Sequence, residues 1–140
     1  MRLYQIQAEW QRAQQALRAA DLLQAQGIYA DAVSRAYYAT MHAAKAALLA
    51  HDVITESHRA VRRLFGQILI QTGELEKAWA DVLAEEYTQR GVADYGAGEM
   101  FEAGETGELV HDAHRFVERI AHYLTSKGIP LEPSEERPPA

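Results

Sequence analysis

The 140-residue chain contains no cysteine, so disulfides and thiolate metal sites are excluded, and nothing in it argues for secretion. Apolar runs are short. None approaches the ~20 residues that a membrane span needs, and Met1-Arg2-Leu3-Tyr4-Gln5 leads straight into an amphipathic pattern rather than a signal peptide. The expectation is a soluble cytoplasmic protein with no membrane partner. Strand-like alternation of β-branched residues is missing. So are a glycine-rich phosphate loop, a nucleophile elbow and a His-Glu-x-x-His pair. The six histidines lack the spacing of a closed zinc site, so no metal and no cofactor are expected. Positive charge is also scarce: the net charge is -6, which disfavours a general nucleic-acid coat. Much of the acid lies in Glu99 to Asp112 and in the tail, which leaves room for a local basic face.

What the chain does have is helical periodicity. Leu3, Ile6, Trp10, Ala13, Leu17 and Ala20 repeat by threes and fours, and Gly27 marks a stop, predicting a helix over 3–26. A second helix is expected over about 29–50. A third uses Val61, Leu64, Phe65, Ile68 and Leu69 and ends near Thr72-Gly73, with Thr55 or Ser57 as its cap. A fourth uses Leu75, Ala78, Trp79, Val82, Leu83 and Tyr87 and ends near Gln89-Arg90-Gly91. The glycines from Gly96 to Gly107 read as a mobile loop. A last helix is expected over about 105–126, facing inward with Leu109, Ala113, Phe116, Val117, Ile120 and Leu124. Gly128-Ile129-Pro130 stops it. The fold class is therefore all-α: an up-and-down bundle of four to five helices forming one domain over 1–128. Residues 129–140 are expected to form a disordered proline-rich tail. Trp10, Tyr37, Trp79 and Phe116 are expected in the core, and Glu85-Glu86 reads as solvated charge.

The second helix carries two stripes. Val33, Tyr37, Met41, Ala44 and Leu48 are apolar. Arg35, Tyr38, His42 and Lys45 follow the same steps one residue's rotation away and contain no acid. Arginine suits bidentate phosphate contacts, lysine a point charge and histidine proton transfer near neutral pH. The stripe therefore fits an anion or a partner's carboxylates, or else a polar seam between helices or subunits. Arg90 and Asp94 sit four apart and pair if the helix continues through Gly91, with Tyr95 beside them.

The run Ala30-Asp31-Ala32-Val33-Ser34-Arg35-Ala36-Tyr37-Tyr38-Ala39, continued by His42-Ala43-Ala44-Lys45-Ala46, resembles the HEPN domain family. His58 followed by Phe65, Thr72-Gly73-Glu74-Leu75, Arg90-x-x-x-Asp94-Tyr95 and Ala113-x-x-Phe116-Val117 match in order, over about residues 11–125. The resemblance implies a four- or five-helix bundle that works as a homodimer in an RNA- or nucleotide-linked role. It also implies a minimal nucleotidyltransferase as partner, in a toxin-antitoxin or defence pair. RNA-cutting members of that family carry an arginine and then a histidine with four to six residues between them, and need no metal. Here Arg90 holds the arginine position, and Asp94 or Tyr95 stands where histidine is expected. Arg35 and His42 have a permitted spacing on a different helix. A tyrosine just after the family motif can be nucleotidylated by the partner, and Tyr95 is the nearest one here. The binding cleft implied is Arg35, Tyr38, His42, Lys45, Arg90, Asp94 and Tyr95, with Arg90 and His42 as the catalytic pair if the chain cleaves RNA. A metal-independent ribonuclease and a purely structural interaction module are the two alternatives to a binding module.

Overall fold

In the computed structural model, which describes residues 2–96 and 100–133, five α-helices account for most of the chain. They are α1 (Leu3–Ala25), α2 (Tyr29–Leu49), α3 (His58–Phe65), α4 (Lys77–Tyr95) and α5 (Ala103–Ser126). A π-helical turn, Gly66–Ile70, extends α3. No strand occurs among the described residues, and none of their helices is long and apolar enough to cross a membrane.

α2 runs through the middle of the bundle and touches the other four helices. Its sequence explains why. Ala32, Ala36, Ala39, Ala43, Ala44, Ala46 and Ala47 are all fully buried, so neighbouring helices approach closely without a side-chain layer between them. Tyr37, Met41 and Leu48 supply its bulk, packing with Ile6 of α1, Phe65 of α3 and Phe116, Ile120 and Leu124 of α5. Trp79 is only half-buried, stacking edge-on against Phe116.

Two helix ends follow directly from glycine. At Gly27 (φ +76°) the amide donates to the Gln24 carbonyl, and Ile28 donates to Leu23. Gly128 (φ +79°) repeats the arrangement, with Ile129 donating to Leu124. Both are Schellman stops, which need the left-handed backbone that glycine adopts without strain. Of the two expected caps for α3, Ser57 serves: its hydroxyl accepts from the Ala60 amide at 3.2 Å. Ser57→Ala is expected to cost about 1 kcal/mol in urea unfolding.

Three boundaries differ from those expected. α4 does not stop at Gly91 but continues to Tyr95; the cost of one helical glycine is about 1 kcal/mol. The Arg90–Asp94 pair and the packing of Val92 and Ala93 against Val33, Phe101 and Leu109 favour continuation. The glycine-rich segment expected as a loop is helical from Ala103 onward, and its residues 97–99 lie outside the described residues. Gly104 and Gly107 lie inside α5, which starts with a capping box between Glu102 and Glu105. Finally, packing extends past Gly128. Ile129 and Leu131 are buried, and Gln7 Nε2 donates to the carbonyls of Pro130 (2.9 Å) and Glu132 (3.3 Å). The remainder of the expected tail, residues 134–140, lies outside the described residues.

Candidate functional site

The polar stripe of α2 is divided between two neighbourhoods. At the lower turns, the acid that α2 lacks comes from α1. Glu9 is almost fully buried, and its carboxylate accepts from His42 Nδ1 at 2.6 Å and from Arg12 at 3.1 Å, with Lys45 Nζ at 3.5 Å. Lys45 also reaches Glu56 at 3.4 Å. Burial alone would raise the Glu9 pKa, but the His42 hydrogen bond and the charges of Lys45, His42 and Arg12 outweigh it and hold it below the ordinary value. His42 and Lys45 are thus spent largely on a helix–helix ion network. Sequence reasoning missed Glu9, although it falls between Ile6 and Ala13 on the buried face of α1.

The upper turns face α3 and α4. Arg90 reaches back from α4 to donate from Nη2 to the Tyr38 hydroxyl at 3.0 Å. Its Nε lies 2.8 Å from Asp94 Oδ2, but the N–H is not aimed at that oxygen, and Nε is buried without an aligned acceptor. The guanidinium also stands 5.5 Å from the ring centres of Tyr37 and Tyr38 and 5.8 Å from Tyr95. Arg35 lies over the other approach to Tyr38 at 4.6 Å. Each of these distances is in the range where a cation is attracted to an aromatic face.

His58 joins this group at the start of α3. Its Nδ1 is 3.0 Å from the Tyr37 hydroxyl, and its ring packs edge-on against Tyr38. Burial lowers its pKa first, and the charges of Arg90, Lys45, Arg62 and His42 lower it further. Arg62, one turn along α3, covers Tyr87 at 3.5 Å and has its Nη1 buried without a partner. Tyr37 is completely buried, and that burial pushes its phenol above the ordinary value.

The structure therefore brings together Arg35, Tyr38, Arg90, Asp94 and Tyr95, and adds His58, Arg62 and Tyr87, which the sequence did not single out for this place. Tyr38 is the joint between the neighbourhoods. A shallow groove between α1 and α2 runs along Arg12, Gln15, Arg35, Tyr38 and His42. Tyr95 is 77% exposed. Below the site, Glu86 is fully buried, and neither carboxylate oxygen is hydrogen-bonded among the described residues. Its expected role as solvated charge is corrected: Glu85 is exposed, while Glu86 continues the inward stripe of α4.

A family model described as the HEPN domain matches residues 6–124. The chain is 35% identical to Putative toxin MJ0605 of Methanocaldococcus jannaschii, covering 86% of this chain and 89% of that protein. It is 33% identical to Putative toxin MJ0142 of the same organism, covering 85% and 81%. It is 32% identical to UPF0332 protein glr0978 of Gloeobacter violaceus, covering 81% and 90%. The chain belongs to the HEPN domain family, and its all-helical bundle is the fold that membership implies.

Proposed function

We propose that this chain is the toxin member of a toxin-antitoxin or defence pair, acting on RNA or a nucleotide through the cleft around Arg90. The observation that carries this reading is the Arg90–Tyr38 bond. It fixes a partly exposed guanidinium among Tyr37, Tyr38 and Tyr95. The exposed edge of that guanidinium suits a phosphate oxygen, and exposed Tyr95 offers a surface for a base or ribose. The names of the two Methanocaldococcus relatives support the toxin role. The working unit is a homodimer, and the partner is a minimal nucleotidyltransferase for which the Tyr95 hydroxyl is the accessible acceptor.

A metal-independent ribonuclease is the second reading, favoured by an imidazole close enough to Arg90 to feel its charge. In that chemistry a base takes the 2′-hydroxyl proton, the 2′-oxygen bonds to the adjacent phosphorus, the P–O5′ bond breaks and the 5′-oxygen leaves as a protonated hydroxyl, while arginine offsets the charge that develops.

Induced expression in a bacterial host tests the toxin role. Wild type is expected to arrest growth, and Arg90→Ala, expressed to the same level, is expected to relieve the arrest. Equal growth of cells carrying wild type and an empty vector would refute the reading.

A further inference from the structure

His58 is among the residues that carry the family resemblance, but the resemblance assigns it no role. The expected catalytic histidine, His42, has its Nδ1 committed to Glu9 at 2.6 Å. The place four to five residues after Arg90 holds Asp94 and Tyr95. Yet an imidazole still reaches the Arg90 cluster, and it comes from α3.

The ring is held in a defined way. Tyr37 is fully buried, and the hydroxyl of a buried tyrosine needs a partner. Among the described residues, the side-chain acceptor it meets is His58 Nδ1, at 3.0 Å. With the phenol donating to Nδ1, the neutral imidazole carries its proton on Nε2. That nitrogen makes no hydrogen bond to the protein among the described residues, and the side chain is partly exposed. Tyr37 and Tyr38 pack against the ring from α2. The same two tyrosines lie under Arg90. The same pair of aromatic rings therefore contacts both the guanidinium and the imidazole.

We propose that His58 Nε2–H and Arg90 together bind a phosphate oxyanion, with Tyr37 as the positioning residue that keeps the imidazole N–H turned outward. This rests on the reading of the Arg90 cleft as an RNA or nucleotide site, and it names the second group that holds the phosphate. The groups facing His58 are Tyr37, Tyr38, His42 and Lys45 of α2, Arg62 of α3 and Arg90 of α4. Glu9 of α1 lies one step further away, engaged by His42 and Lys45. Burial first, and then the surrounding cations, favour the neutral imidazole in the empty site. A bound phosphate reverses the local charge and favours the imidazolium. Proton uptake is then coupled to phosphate binding, and affinity rises as pH falls through the midpoint of the complex.

The test is an NMR pH titration of the His58 ring resonance in the full chain, identified by its absence in His58→Gln. It is run alone, with adenosine 5′-monophosphate, with adenosine, and with a short RNA lacking terminal phosphates. Binding of the monophosphate or the RNA is expected to raise the His58 midpoint, and adenosine is expected to leave it unchanged. A response to the monophosphate alone identifies a terminal phosphate as the ligand; a response to the RNA identifies the backbone. Tyr37→Phe is expected to shift the His58 midpoint in the empty protein. His58→Gln is expected to weaken the responding ligand about tenfold and to remove the pH dependence of its binding. Binding that depends on Arg90 but leaves the His58 titration unmoved would overturn the role of His58 while sparing the cleft. Absence of any binding would overturn both.

Discussion

Replacing Glu86 with methionine is expected to stabilise the protein, most strongly at alkaline pH. The carboxyl is fully buried, both oxygens lack partners, and burial, with Asp112 and Glu85 nearby, pushes its pKa up to about 9. The group is therefore neutral in the folded protein at pH 7 but ionised in the unfolded chain. The unfolded state gains from that ionisation as pH rises above the ordinary value of 4.5. Each pH unit between the two values removes about 1.4 kcal/mol of stability, so ~3 kcal/mol is lost by pH 7. Methionine has a similar reach and no charge to lose. Urea unfolding at pH 5, 7 and 8.5 should show wild type weakening with pH and Glu86→Met staying nearly flat. Parallel curves for the two proteins would mean that Glu86 finds a partner or water.

Glu9→Ala is expected to act in the opposite direction. Three cationic or protonatable groups, on Arg12, His42 and Lys45, converge on one buried carboxylate. Its removal leaves Lys45, whose side chain is only 14% exposed, with the solvent-exposed Glu56 at 3.4 Å in place of a buried carboxylate. Losing the buried partner of a largely buried charge costs roughly 2–4 kcal/mol. The pH dependence has its own sign. Because the folded pKa of Glu9 is depressed, its contribution is present above the unfolded carboxylate value and is lost as pH falls through the folded one. Urea midpoints for wild type and Glu9→Ala should therefore be far apart at pH 6 and converge in acid. With Glu86 acting from the alkaline side, wild type should be most stable in mildly acidic solution.

The helices were legible because their signals are local. Threes-and-fours periodicity, Gly27, Gly128 and Ser57 each act within a few residues of chain, and the buried faces of α2 and α5 fall where that periodicity puts them. The end of α4 was not legible. Gly91 is a local stop signal, whereas the packing that overrides it comes from Val33, Phe101 and Leu109, far along the chain. The site was half legible for the same reason. Arg35, Tyr38, Arg90, Asp94 and Tyr95 stand out by type and spacing. The acid that engages His42 and Lys45 is 33 residues from His42 along the chain, and the imidazole near Arg90 sits on another helix. A signal for both Glu9 and Glu86 does exist in the sequence: each carboxylate falls on an apolar stripe at helical spacing, where a charged residue needs either a partner or a proton.

The central claim is that Arg90, held by Tyr38, engages the phosphate of RNA or nucleotide. The most direct measurement is titration of a short unstructured RNA with wild type and Arg90→Ala in EDTA, with the products resolved on a gel. Both proteins are first shown to unfold cooperatively. The account predicts salt-sensitive binding by wild type and at least about tenfold weaker binding by Arg90→Ala. Cleavage by wild type that the variant loses would establish the ribonuclease reading of the same cleft. Equal affinity of the two proteins for RNA, or no binding by either, would contradict the account.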